Sequence, residues 1–180
     1  MKKLLKALST LSVLMLLIVL TSCGSNKFYR EWSKAGAEIE KDNVFEYIEL
    51  EEVKEKIAAG ETFVVIYASN ENASSISVIN SFQAQYDYLC TNGEERVIYV
   101  IDSTDFDKSS ERKEAKEALG VTKAVPNDGS ALIVTYVSGV PTVESNWLDK
   151  IQTQEYVFNG SLNYSSLCSH IYRELLVEAE

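Results

Sequence analysis

Three runs of β-branched and aromatic residues constrain this chain most: Thr62–Ala68, Arg96–Asp102 and Ala131–Val137. Each is nearly continuous rather than alternating apolar with polar. An alternating strand has one wet face, so a continuous run predicts a strand buried on both faces. The segments between them have a different period. Leu50, Val53 and Ile57 recur at spacings of three and four, which predicts one helical face, with Gly60 closing the helix. Glu51 with Lys54 and Glu52 with Lys56 are the ion pairs expected on its outer faces. The polar loop Ser69–Ser75 leads into a helix to about Leu89, with Val78 or Ile79, Phe82, Tyr86 and Leu89 inward. Glu111–Leu119 predicts a charged helix ended by Gly120. Weaker signals give a strand at Asn43–Ile48, a short strand at Glu155–Phe158 and a final helix at Asn163–Val177. The order β-α-β-α-β-α-β-β-α predicts an α/β fold, a mixed sheet flanked by helices on both faces in three layers.

Composition narrows the function classes. At 46% apolar, the chain has the surface that a wholly disordered chain lacks. Its 27 acidic residues outnumber 17 basic ones, which argues against a nucleic-acid partner. His170 is the only histidine, and the few cysteines are not clustered, so no metal site is expected. His170 also has no partner at a convincing triad spacing, so no catalytic residue is assigned. The Asp102–Asp107 loop lacks the Gly and the closing Glu of a calcium loop and reads as a solvated turn capping the next helix. Asn72-Ala73-Ser74 and Asn159-Gly160-Ser161 match glycosylation acceptors.

The N-terminus carries an address. Lys2, Lys3 and Lys6 precede an apolar stretch from Ala7 to Leu20, followed by Leu20-Thr21-Ser22-Cys23. A stretch this short, ending in small residues, is a secretory signal rather than a membrane span. The last four residues resemble the bacterial lipobox. That resemblance implies cleavage before Cys23 and a covalent lipid on it. The expected units are a signal peptide over 1–22, a lipid-anchored spacer over 23–43, and a folded domain over 44–180. The mature chain would have 158 residues, and losing three lysines takes its charge from −10 to −13. The expected location is the outer face of a Gram-positive cytoplasmic membrane, or the outer membrane of a Gram-negative cell. An acidic domain is repelled by anionic headgroups and is expected to stand off the surface. The spacer holds Phe28, Tyr29 and Trp32, so a helix packed on the domain or on another protein is the alternative.

Element order and several local sequences together resemble the thioredoxin-like superfamily. Phe63-Val64-Val65-Ile66-Tyr67-Ala68 resembles the strand running into that family's active-site loop. Leu119-Gly120-Val121 followed by Val125-Pro126 resembles its cis-proline segment, and Gly160-Ser161-Leu162-Asn163 resembles the start of its last helix. The resemblance spans about residues 44–177. Glu61–Phe82 is especially similar to thioredoxin-like accessory proteins of bacteriocin export in Gram-positive bacteria. One departure matters most. The loop after Ala68 contains no cysteine; Glu71 and Ser74, or Ala73 and Ile76, stand where the family has Cys-x-x-Cys. Neither a carboxylate nor a hydroxyl exchanges disulfides, so the dithiol chemistry is expected to be absent there.

The resemblance still implies a groove for an extended peptide beside two loops. Its candidate residues are Ser69, Asn70, Glu71, Asn72, Ser74, Val125, Pro126 and Ser130. Asn127-Asp128-Gly129-Ser130 separate Pro126 from the strand, so either the loop is enlarged or Ser130 replaces the proline. Glu71 reads either as a helix-capping acid or as a ligand-binding or acid–base residue. Cys90 and Cys168 fall on helices that share a sheet face in the family, which leaves a disulfide, two buried thiols or a redox pair open. The expected function is a non-catalytic module for an extracytoplasmic protein or peptide, with no cofactor beyond the lipid on Cys23. The alternative is a thiol–disulfide oxidoreductase or redox sensor using Cys90 and Cys168.

Overall fold

The computed structural model describes residues 27–89, 97–121, 125–141 and 155–157. The chain runs through helix α1 (27–34), β1 (Phe45–Tyr47), α2 (Leu50–Ala58), β2 (Phe63–Ala68) and α3 (Ala73–Leu89). It continues through β3 (Ile98–Asp102), a 3₁₀ turn (Ser103–Asp105), α4 (Ser109–Leu119), β4 (Leu132–Val137), β5 (Val140–Pro141) and β6 (Glu155–Val157). The architecture is α/β with a mixed sheet. Strand order is β1-β3-β2-β4-β5, and β6 also pairs with β4. β3 lies parallel to both β1 and β2, while β4 runs antiparallel to β2. β5 pairs with Tyr136 and Val137, and β6 with Leu132–Val134, so the two strands share one flank of β4.

The continuous apolar run of β2 is explained by what lies above and below it. All six of its residues are buried. Val64, Ile66 and Ala68 pack with Val78, Ile79 and Phe82 of α3, whereas Phe63, Val65 and Tyr67 pack with Val53 of α2 and Ala115 and Leu119 of α4. Successive strand side chains point to opposite faces, so each face of β2 meets its own core. The predicted inward positions of α3 are thus filled by both Val78 and Ile79, with Phe82; the side chains of Tyr86 and Leu89 lie outside the described set.

The aromatic stretch read as a possible spacer is α1, and it belongs to the first core. Phe28 and Trp32 are fully buried beside Phe45 and Val100. The Phe28 ring stacks on Trp32 and Phe45 at 5.2 and 5.1 Å between centroids. Trp32 Nε1 donates to Tyr47 Oη at 3.1 Å, and Tyr47 Oη donates to Glu31 Oε2 at 2.7 Å. Burial, and then the Glu31 bond, hold the Tyr47 hydroxyl far above its usual range. The folded unit therefore begins ahead of residue 44.

Local signals set the remaining ends. The Glu49 N–H donates to Glu52 Oε2 at 3.0 Å at the start of α2, and the Lys108 N–H donates to Glu111 Oε2 at 3.0 Å at the start of α4. An acid at the third helical position thus closes each first turn. This takes Glu52 away from the pairing expected with Lys56, which bonds Glu61 at 2.9 Å instead; Lys54 pairs with Glu51 as expected. Ser138 and Gly139 join β4 to β5 with φ of 51° and 73°. Two positive φ values define the primed turn whose twist matches the strands. A Cβ on Gly139 would stand 2.2 Å from the Ile57 carbonyl oxygen, so only glycine fits. The signal peptide, Cys23, Cys90, Asn159-Gly160-Ser161, the final helix and His170 all lie outside the described residues.

Candidate functional site

β2 and β3 are adjacent and parallel, with Ala68 opposite Asp102 at their carboxyl ends. From there the chain leaves in opposite directions: β2 feeds α3, which packs on the first core, and β3 feeds α4, which packs on the second. Two connections diverging from neighbouring parallel strands open a crevice at the strand ends. A cleft of about 500 Å³ lies there. Three segments wall it: Ser69, Glu71 and Asn72 after β2; Ser103, Thr104, Phe106 and Asp107 with Arg112 after β3; and Pro126 to Gly129 before β4.

The first and third walls are bolted together. Asn72 Nδ2 donates to the Asp128 carbonyl at 2.8 Å, and Ser75 Oγ donates to the Gly129 carbonyl at 2.6 Å. Gly129 has φ of 76°, and a Cβ there would lie 3.1 Å from that of Ser69. A side chain at 129 would push the loops apart. Asn72 also caps α3: its Oδ1 accepts from the Ser74 N–H at 2.8 Å, the Ser74 hydroxyl at 2.6 Å and the Ser75 N–H at 3.3 Å. Glu71, the acid considered for that cap, is exposed on the cleft instead. The Asp128 carboxylate accepts the Ser130 N–H at 3.0 Å, and these Ser130 bonds hold its pKa below the usual aspartate range.

The second wall is the former acidic loop. Asp102 caps the 3₁₀ turn rather than α4, its Oδ1 accepting from the Thr104 N–H at 3.0 Å and the Thr104 hydroxyl at 2.7 Å. Arg112 Nη1 reaches back from α4 to donate to the carbonyls of Phe106 and Asp107. Phe106 packs on Tyr67 at 5.6 Å between centroids. Burial pushes the Tyr67 phenol up to about 12, against an opposing pull from Arg112. Ser103 contributes the one anomaly of the cleft. It is 9% exposed, and its Oγ, fully enclosed, has no hydrogen-bond partner. A buried hydroxyl without a partner costs about 1–3 kcal/mol.

Of the eight candidate groove residues, Ser69, Glu71, Asn72 and Pro126 line the cleft. The other four do not. Val125 is buried with Leu119 and Val121 in the second core. Ser74 turns back to Asn72 within the first turn of α3. Ser130 is buried, with its N–H on Asp128. Asn70, half-buried in the same loop, is absent from the lining. The described residues contain no cis peptide bond, so Val125–Pro126 is trans, and Ser130 stands directly before Ala131. Sequence reasoning missed Ser103, Thr104, Phe106, Asp107, Arg112, Asn127, Asp128 and Gly129 as cleft residues. The usable signal was topological, because the residues after β3 must end beside those after β2 in such a sheet.

The lining offers carboxylates from Glu71, Asp107 and Asp128, the hydroxyls of Ser69 and Thr104, and amides from Asn72 and Asn127. It contains neither cysteine nor histidine. Its chemistry is hydrogen bonding and charge. Among the described residues no His, Cys, Asp or Glu group is arranged to hold a metal ion, and no helix is long and apolar enough to cross a membrane. Set against known proteins, the chain matches no family model, no curated protein and no solved structure.

Proposed function

We propose that this protein is an extracytoplasmic bacterial lipoprotein, anchored through Cys23, whose domain is a thioredoxin-like fold turned to binding. Its cleft takes an extended protein or peptide segment in an accessory role, such as export, without disulfide exchange. The strand order, with β4 antiparallel beside β2 and helices against both cores, supports that family reading. The position of the cleft, at the ends of β2 and β3, supports its use as a binding site.

The observation that carries the reading is the cleft itself, which opens where the chain leaves β2 and β3 in opposite directions and is walled by polar side chains of three segments. The carboxylates, hydroxyls and amides of Glu71, Asn72, Thr104, Asp107 and Asn127 match the N–H and C=O groups of a peptide backbone laid along it.

Selection from a displayed random-peptide library, with the purified lipoprotein as bait, tests this. The expected result is a set of bound peptides whose affinity falls at least about tenfold in Thr104→Trp, which fills the cleft; ~1.4 kcal/mol corresponds to that factor. Failure to select any peptide, or equal binding by the filled variant, overturns the reading. Insulin-reduction turnover that disappears in Cys90→Ser or Cys168→Ser would establish the thiol enzyme instead.

A further inference from the structure

The outward face of α1 is basic. Phe28 and Trp32 occupy its inner side. Lys27, Arg30 and Lys34, at spacings of three and four, are all exposed. At 100° per residue these three side chains fall on one stripe, opposite Phe28 and Trp32. The only acid of the helix, Glu31, is engaged by Tyr47. Lys27 lies 5.0 Å over the Tyr47 ring and remains exposed.

Charge elsewhere is strongly negative. Residues 44–180 carry ten basic and 23 acidic side chains, a net of −13, whereas residues 27–43 carry four of each. The neutral segment therefore separates the acidic body from the N-terminus, and its helical part is net positive. Only residues 24–26 lie between the lipobox cysteine and α1. The four residue steps from Cys23 to Lys27 span at most ~14 Å even when fully extended. That is less than two screening lengths of about 8 Å at physiological salt. A domain tethered so closely keeps its near face within the surface field. It can only turn, and the orientation that lowers its energy puts the basic stripe inward and the acidic body outward.

We propose that the Lys27–Arg30–Lys34 face of α1 lies on the anionic headgroups of the membrane that holds the lipid anchor. This rests on the lipoprotein reading of Cys23. Basic side chains at an anionic surface each contribute roughly a fivefold gain in binding, so three favour the docked orientation by about a hundredfold. Docking replaces the stand-off arrangement expected from net charge alone. It also fixes the fold: α2 and α4 belong to the opposite core from α1, so their outer surfaces face away from the bilayer.

Lysine footprinting of the lipidated, full-length product tests the docking. The protein is reconstituted into vesicles of phosphatidylcholine alone, or of phosphatidylcholine mixed with phosphatidylglycerol. A water-soluble acetylating ester is applied, and each lysine is read by mass spectrometry. In the anionic vesicles, acetylation of Lys27 and Lys34 should slow about tenfold relative to Lys54 on α2 and Lys113 on α4. High salt should restore it. The double variant Arg30→Glu, Lys34→Glu should leave Lys27 unprotected while its near-ultraviolet dichroism stays native. Equal reactivity of Lys27 and Lys34 in both vesicles overturns the docking. Flotation separates the two ideas: a protein that floats with neutral vesicles is anchored, so unprotected lysines then defeat docking alone. One that does not float defeats the anchor and the docking with it.

Discussion

Asn72 holds two jobs with one side chain. Its oxygen satisfies N–H groups that the first turn of α3 leaves open, while its nitrogen holds the Asp128 carbonyl across the cleft. The two are separable. Asn72→Ala loses both and should cost about 1 kcal/mol for the cap alone, read as a lower midpoint in urea unfolding. Asn72→Asp keeps an acceptor for the cap and loses the donor, so it should retain most of the stability and loosen the 126–130 loop. Asp128 gives a pH signature. Its folded pKa is depressed by Ser130, so its stabilising contribution is present above the unfolded aspartate value and is lost as pH falls through the folded value. Thermal melts of Asp128→Asn should therefore show a flatter acid limb, below about pH 4, than those of the parent. The sequence showed that a cap lay in this loop. It could not distinguish Glu71 from Asn72, because the choice turns on where the first helical residue falls, and that is set by the loop's attachment to Asp128 and Gly129.

Among the elements, the strands were the most legible. A segment enclosed on both faces must be apolar at nearly every position, and β2 and β4 announce this in their composition, with the buried Thr135 of β4 the exception. The cleft was the least legible. It is assembled from residues near 70, 105 and 128, and no local pattern links those segments. α1 lay between the two: its aromatic residues were conspicuous, but only the structure shows that they close the first core. Trp32→Ala should accordingly cost about 3–5 kcal/mol, comparable to a central core deletion, as measured by chemical denaturation. A spacer residue would cost almost nothing. The β4–β5 turn gives a complementary case. Gly139→Ala must find room where the Ile57 carbonyl already stands, and it must also adopt a positive φ. Its melting temperature should fall well below that of Ser138→Gly, which asks only for the φ that glycine adopts freely.

At the scale of the molecule, charge and topology set the behaviour. Four exposed ion pairs among the described residues, at Lys54, Lys56, Lys108 and Lys113, are each worth little in water. They stand against a net charge of −13 over residues 44–180, whose self-repulsion weakens the compact state. Raising ionic strength should thus raise the melting temperature in scanning calorimetry. A fall on adding salt would mean that pairing outweighs repulsion. The strand order has a further consequence, in time rather than space. β1 and β2 do not pair with each other, because β3 lies between them, and β3 begins only at Ile98. A chain delivered N-terminus first, by a ribosome or through a translocation channel, has its first two strands exposed with nothing to join them. The parallel half of the sheet forms by late insertion of its middle member, so the nascent chain stays pliable until more than half its length has emerged.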